Sequence, residues 1–317
     1  MTTEKPRAFP HRRAGAVVVL LAGLLALVAG CSDNNTPGSS AKSDGKPTVV
    51  VSIPPLASVV QSMLGGDGRV VTLLPAGYSP HGFNATATQM REVSGATCVI
   101  IVGLGVDAWA QRAAEAANVR VIAMADLLHI TAGSDDHDAH DHDHDHHHGR
   151  INAHLWLDPV LMLQFVEAVE PQLAEAMPEH AEAVAANAQR LREQLKQLDA
   201  DCRSQLAQVP VRRLVTFHNA FDRFAQRYKL EVVAHLAEIQ TQGPSITAKE
   251  IEQVRSAIAT YKLETIYREP QMPATAAKAI EQQTGVHLLV LDPLGSAGES
   301  YDALMRRNLH TLVEGQQ

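Results

Sequence analysis

From Thr48 onward, the apolar positions fall into short, nearly continuous runs separated by longer amphipathic stretches. "TVVVSI" (48–53), "RVVTLLP" (69–75), "CVIIVG" (98–103) and "VRVIAM" (119–124) are rich in β-branched residues. Runs that do not alternate with polar residues predict strands covered on both faces, as in a parallel sheet. Between them, 55–64 and 107–117 read as helices, the first ended by Gly65-Gly66. Strands alternating with helices predict parallel sheet units.

The middle of the chain changes period. Residues 159–176 read as a helix, with Asp158 as N-cap and Pro159 at the first helical position. A second helix opens at Pro178 and runs to about Val209. Ala181, Val184, Ala188, Leu191, Leu195, Leu198, Cys202 and Leu206 recur at steps of three and four, which marks one buried stripe. At 1.5 Å per residue it is about 45 Å long, enough to cross a whole protein. After Pro210 the alternation returns. Strands are predicted at 211–217, 231–236, 263–268 and 286–292, and helices from about Asn219, Thr247, Ala274 and Ser300. The predicted fold is therefore α/β with two lobes, each a mostly parallel sheet flanked by helices. The N-terminal lobe is 48–177, the linking helix 178–209 and the C-terminal lobe 210–317.

Two segments stand outside this pattern. Arg7, Arg12 and Arg13 precede an apolar run from Ala14 to Ala29, which is short for a membrane span and ends in "LVAGCS". Small residues followed directly by Cys31 look like a bacterial lipobox. Residues 1–30 then read as a lipoprotein signal peptide, Cys31 as the lipid anchor and 31–47 as a flexible tether rich in Gly, Ser and Pro. Such a chain is exported and anchored in the periplasm or on the outer face of the cytoplasmic membrane. The second segment is "DDHDAHDHDHDHHH" (135–148), with seven histidines and six aspartates. Ala139 is its sole apolar residue, so it contributes nothing to a core and reads as a surface loop of the first lobe.

Composition narrows the function. Aromatics make up 4% of the chain and the formal charge is -8, which argues against stacking or electrostatic binding of nucleic acid. Loss of residues 1–30, with four basic residues and one acidic, takes the charge to -11. Cys98 and Cys202 belong to no CxxC pair and read as small buried hydrophobes, which gives a thiolate zinc site no support. With thiolates set aside, candidate metal ligands are imidazoles and carboxylates. His137, His140, His142, His144, His146, His147 and His148 offer many ligand sets and no single geometry, the mark of weak accessory binding on a loop that is costly to order.

Scattered histidines are more specific. His81 follows the strand 69–75, His154 precedes a helix, and His218 and Asp292 end strands. Ligands of parallel α/β domains gather outside the carboxyl ends of strands, so three imidazoles and a carboxylate are candidates to converge. Taken singly, each histidine is more often structural than a ligand.

The segments around them carry a resemblance. "PHGFNATATQM", "HLWLDP", "FHNAFDRFAQRYKLEV" and "REPQMPATAAKAIEQQTGVHLLVLDPLG" follow one another in order. Together with "ESYDALMRRNLHTLVEG", they resemble the metal-binding receptor lipoproteins of bacterial zinc and manganese ABC transporters, the ZnuA/TroA-like family. The likeness spans about residues 48–315. It implies two lobes joined by one rigid helix, and His81, His154, His218 and Asp292 as metal ligands. It also implies a permease with its ATPase as partners of a monomeric receptor that is not an enzyme. Pro80 stands where some zinc members carry an acidic residue, and Asp107 where Glu is frequent.

Three imidazoles and one carboxylate suit Zn²⁺, whereas Mn²⁺ prefers more oxygen. A manganese or iron receptor of the same family remains an alternative. So do a surface zinc buffer or adhesin, and a zinc hydrolase, which needs an open coordination position and a general base.

Overall fold

The computed structural model describes residues 46–131, 152–240 and 243–317. The signal segment, Cys31, nearly all of the tether and the histidine-rich stretch 135–148 lie outside them. The first lobe is built on a four-stranded, all-parallel sheet of β1 (Thr48–Val51), β2 (Arg69–Thr72), β3 (Cys98–Ile101) and β4 (Val121–Ala123), in the order β2-β1-β3-β4. β3 is buried along its whole length, in keeping with its unbroken apolar run. The helices of this half are α1 (Pro54–Leu64), α2 (Ala87–Ser94), α3 (Ala108–Ala116), α4 (Met124–Leu127) and α5 (Pro159–Ala176).

Asp158 caps α5, its side chain accepting from the backbone N–H groups of Val160 and Leu161, and Pro159 occupies the first turn. The linking segment starts as a 3₁₀ turn at Pro178–His180 and continues as α6 (Ala181–Leu206), 26 residues or about 39 Å. Seven of the eight stripe positions are buried; Ala181, at the first turn, is half-buried. That stripe packs on α1 and α5.

In the second lobe, β5 (Arg213–Thr216) pairs with β6 (Glu231–His235), and β9 (Thr265–Arg268) with β10 (His287–Val290). Both pairs are parallel, and β5 lies against β9. A short antiparallel hairpin, β7 (Glu238–Gln240) and β8 (Gly243–Ser245), was absent from the sequence expectation. α7 (Asp222–Arg227), α8 (Ala248–Tyr261), α9 (Thr275–Thr284) and α10 (Tyr301–Glu314) flank them. α8 opens with a capping box between Thr247 and Glu250, and Ser300 caps α10.

The lobes share a core. One apolar cluster runs from β1–β4 through α5 and α6 to Phe221, Phe224, Tyr267, Leu291 and α10, while a smaller one around Val215, Ile266 and Ile280 belongs to the second lobe. α10 causes the continuity, since it packs against α6 and α1 as well as β10. Cys98 and Cys202 are free and buried in the shared cluster. Burial pushes their thiols up to about 11 and about 12, so they act as apolar filler rather than nucleophiles.

Candidate metal centre

Each expected histidine stands where an element ends. His81 lies in the loop between β2 and α2, which turns through Gly77 and Gly82 at φ +82° and +75°, a backbone region that side-chain-bearing residues rarely adopt. Trp109 of α3 holds that loop, its indole N–H donating to the carbonyl of Pro80 at 3.0 Å while its ring stacks edge-on with Phe83. His154 directly precedes a 3₁₀ turn, Leu155–Leu157, that leads into α5. His218 follows the carboxyl end of β5. His154 and His218 are buried, and His81 is half-buried.

The three rings meet. His154 Nε2 is 3.2 Å from His81 Nε2 and 3.1 Å from His218 Nε2, and the metal-ligating atoms of all three lie within 4.8 Å of one another. Zn–N bonds of about 2.05 Å in a tetrahedral shell place neighbouring nitrogens about 3.3 Å apart. The rings are therefore already at the spacing such an ion demands.

Hydrogen bonds decide which nitrogen each buried ring presents. Asn152 Oδ1 accepts from the His154 backbone N–H at 2.9 Å, which identifies it as the carbonyl oxygen; His154 Nδ1, 2.8 Å away, must then carry its proton. His218 Nδ1 donates to Glu269 Oε1 at 2.6 Å. With each Nδ1 so engaged, Nε2 of His154 and Nε2 of His218 face each other and are the atoms left to ligate a metal. Burial, then the neighbouring His218, His81 and Arg223, hold His154 well below the usual imidazole range, so it stays neutral and competent to ligate.

Asp292 is the fourth expected ligand, and its carboxylate oxygens lie outside the 4.8 Å group formed by the three rings. Oδ1 accepts from the backbone N–H groups of Leu294 (3.1 Å) and Gly295 (3.0 Å) and from Gln271 Nε2 (2.8 Å). Oδ2 faces the Arg307 guanidinium at 3.2 Å. The Asp-Pro-Leu-Gly turn uses its carboxylate to satisfy its own backbone, and α10 supplies the countercharge. Asp292→Asn is expected to cost about 1 kcal/mol of stability through the weakened Arg307 contact, which thermal melting of the metal-free variant checks.

Asp107 is also accounted for. Its buried carboxylate accepts from Ser52 Oγ and from the backbone N–H groups of Val102 and Gly103, closing the turn after β3 away from the histidines.

A family model described as "Zinc-uptake complex component A periplasmic" matches residues 49–315. The chain belongs to the ZnuA family. It is 30% identical over 268 residues to the high-affinity zinc uptake system protein ZnuA of Yersinia pestis, covering 78% of this chain and 83% of that protein. It is 28% identical over 297 residues to the zinc-binding protein AdcA of Streptococcus pyogenes, covering 87% of this chain. The match spans 57% of the length of that relative. Among solved structures, the periplasmic zinc binding protein TroA from Treponema pallidum has a TM-score of 0.74 at 25% identity, over 86% of this chain and 99% of that one.

Two polar residues of this ZnuA-family site escaped the reading of the sequence. Glu269 directly follows β9 and lines the same cavity as the three rings; Asn152 lies two residues before His154. Glu269 had a signal, a carboxylate at the carboxyl end of a strand in "REPQMP". Asn152 had none beyond its nearness to a histidine.

Proposed function

We propose that the chain is a high-affinity zinc receptor of an ABC-type importer, capturing Zn²⁺ between its lobes on His81, His154 and His218. The cargo then passes to a membrane permease driven by its ATPase. The observation that carries this reading is the convergence of three imidazoles, with His154 Nε2 3.2 Å from His81 Nε2 and 3.1 Å from His218 Nε2. Zinc suits a site dominated by imidazole nitrogens, whereas manganese seeks more oxygen donors than a single Asp292 carboxylate offers. The names borne by the Yersinia and Streptococcus relatives support the same cargo.

A hydrolytic role is disfavoured by the same geometry. A zinc hydrolase needs a carboxylate or similar base against the metal-bound water. Among the described residues no carboxylate oxygen joins the histidine group, and Glu269 Oε1 is engaged on the far side of the His218 ring. We further propose that the mature chain is a monomer held to the membrane through Cys31, and that residues 135–148 gather zinc without forming the transport site.

Calorimetric titration of the intact protein and of a variant lacking 135–148 tests the assignment. The variant is expected to keep one tight zinc site, with manganese at least tenfold weaker. Loss of all tight binding on deletion would move the function to the histidine-rich stretch and make the chain a zinc buffer. Manganese bound as tightly as zinc would overturn the cargo.

A further inference from the structure

The two lobes each supply a buried histidine, and one side chain touches the backbone of both segments. Asn152 Oδ1 accepts two hydrogen bonds from His154, one from its peptide N–H and one from its ring Nδ1. Asn152 Nδ2 donates across the cleft to the carbonyl of Asn219, the residue that directly follows His218. The backbone carbonyl of Asn152 accepts from Arg223 Nε of α7 at 2.8 Å. His154 is thus tied, through a single planar amide, to the segment that carries His218.

We propose that Asn152 is a positioning residue of the metal centre, selecting Nε2 of His154 as its ligating atom and strapping that ring to the His218 segment of the opposite lobe. The proposal rests on the reading of His154 and His218 as ligands. Its chemistry is specific to an amide. The oxygen must accept, because both groups of His154 that reach it are N–H donors; the nitrogen must donate, because a peptide carbonyl faces it. Aspartate keeps the first function and loses the second. Alanine loses both. Other groups fix the remaining rings: Glu269 holds His218 through Nδ1, and Trp109 holds the His81 loop through Pro80. Asn152 alone of these three reaches segments of both lobes. Partners of this kind, one shell out from a metal, contribute about 10–100-fold to affinity.

The test combines metal-free and metal-bound measurements on the full chain. In the metal-free protein, ¹⁵N-resolved imidazole spectra report which ring nitrogen of His154 bears the proton. Wild type and Asn152→Asp are expected in the Nδ1–H form, and Asn152→Ala in a mixture of tautomers. With zinc, Asn152→Ala is expected to bind about 10–100-fold more weakly. Asn152→Asp is expected within about threefold in affinity but to release zinc to a chelator several-fold faster, because the strap is gone. An unchanged tautomer and unchanged affinity in Asn152→Ala would overturn the proposal. If Asn152→Ala fails to fold, Asn152→Ser replaces it, with the same expected losses. The spectra need no metal, so they report on Asn152 even if wild type proves not to bind zinc, a result that sinks the receptor reading instead.

Discussion

His154→Ala is expected to weaken zinc binding by about two orders of magnitude or more. A structural zinc site of four donors is worth about 10–16 kcal/mol at neutral pH, so one donor carries about 3 kcal/mol, or more than a hundredfold. His154 is the central donor: its Nε2 lies within 3.2 Å of both other rings. Calorimetry gives the affinity, and thermal melting of the metal-free variant checks the fold. A zinc affinity within threefold of wild type would remove His154 from the site. The same substitution made with residues 135–148 deleted excludes the accessory histidines as a source of residual binding.

Trp156→Ala is expected to destabilise the metal-free protein by about 4 kcal/mol, a fall in Tm of about 6–8 °C for a chain of this size. Trp156 is 1% exposed and packs against His154, with ring centroids 5.1 Å apart. Its indole N–H donates to the carbonyl of Pro293 at 2.7 Å, which links the His154 turn of one lobe to the Asp292-Pro293 turn of the other. Its own carbonyl accepts from the Tyr301 hydroxyl on α10 at 2.8 Å. Truncation leaves a large cavity at the joint and strips the Pro293 carbonyl of its donor. Trp156→Phe keeps most of the volume and loses just the hydrogen bond, so its cost is expected near 1–2 kcal/mol. Melting temperatures equal to wild type in both variants would mean that neither packing nor the bond joins the lobes here.

The alternation of apolar runs and amphipathic stretches was enough to read the α/β plan, because buried parallel strands cannot alternate and a packed helix must carry a stripe. Asp158-Pro159 marked the start of α5 for the same local reason, an oxygen acceptor beside a residue that needs no amide partner. Weak or short elements were lost. α2 has a capping box, with Thr86 and Gln89 bonded to each other's backbone, yet its eight residues bury just Val93 and show no clear stripe. The β7–β8 hairpin is three residues a side, below the length at which periodicity speaks.

Local pattern was enough for the two-lobe plan and the long linking helix, and it singled out three histidines that lie between regular elements. Packing set the contacts around them. Asp292 meets Arg307, fifteen residues on, and Gln271, twenty-one residues back, through contacts that no local pattern shows. Which nitrogen His218 offers depends on Glu269, and how His154 meets the other lobe depends on the carbonyl of Asn219. A sequence shows which groups exist, and local propensity shows which element bears them. Hydrogen-bond partners at long separation are chosen only when packing brings strand ends together, and they set the orientation and charge that a metal encounters.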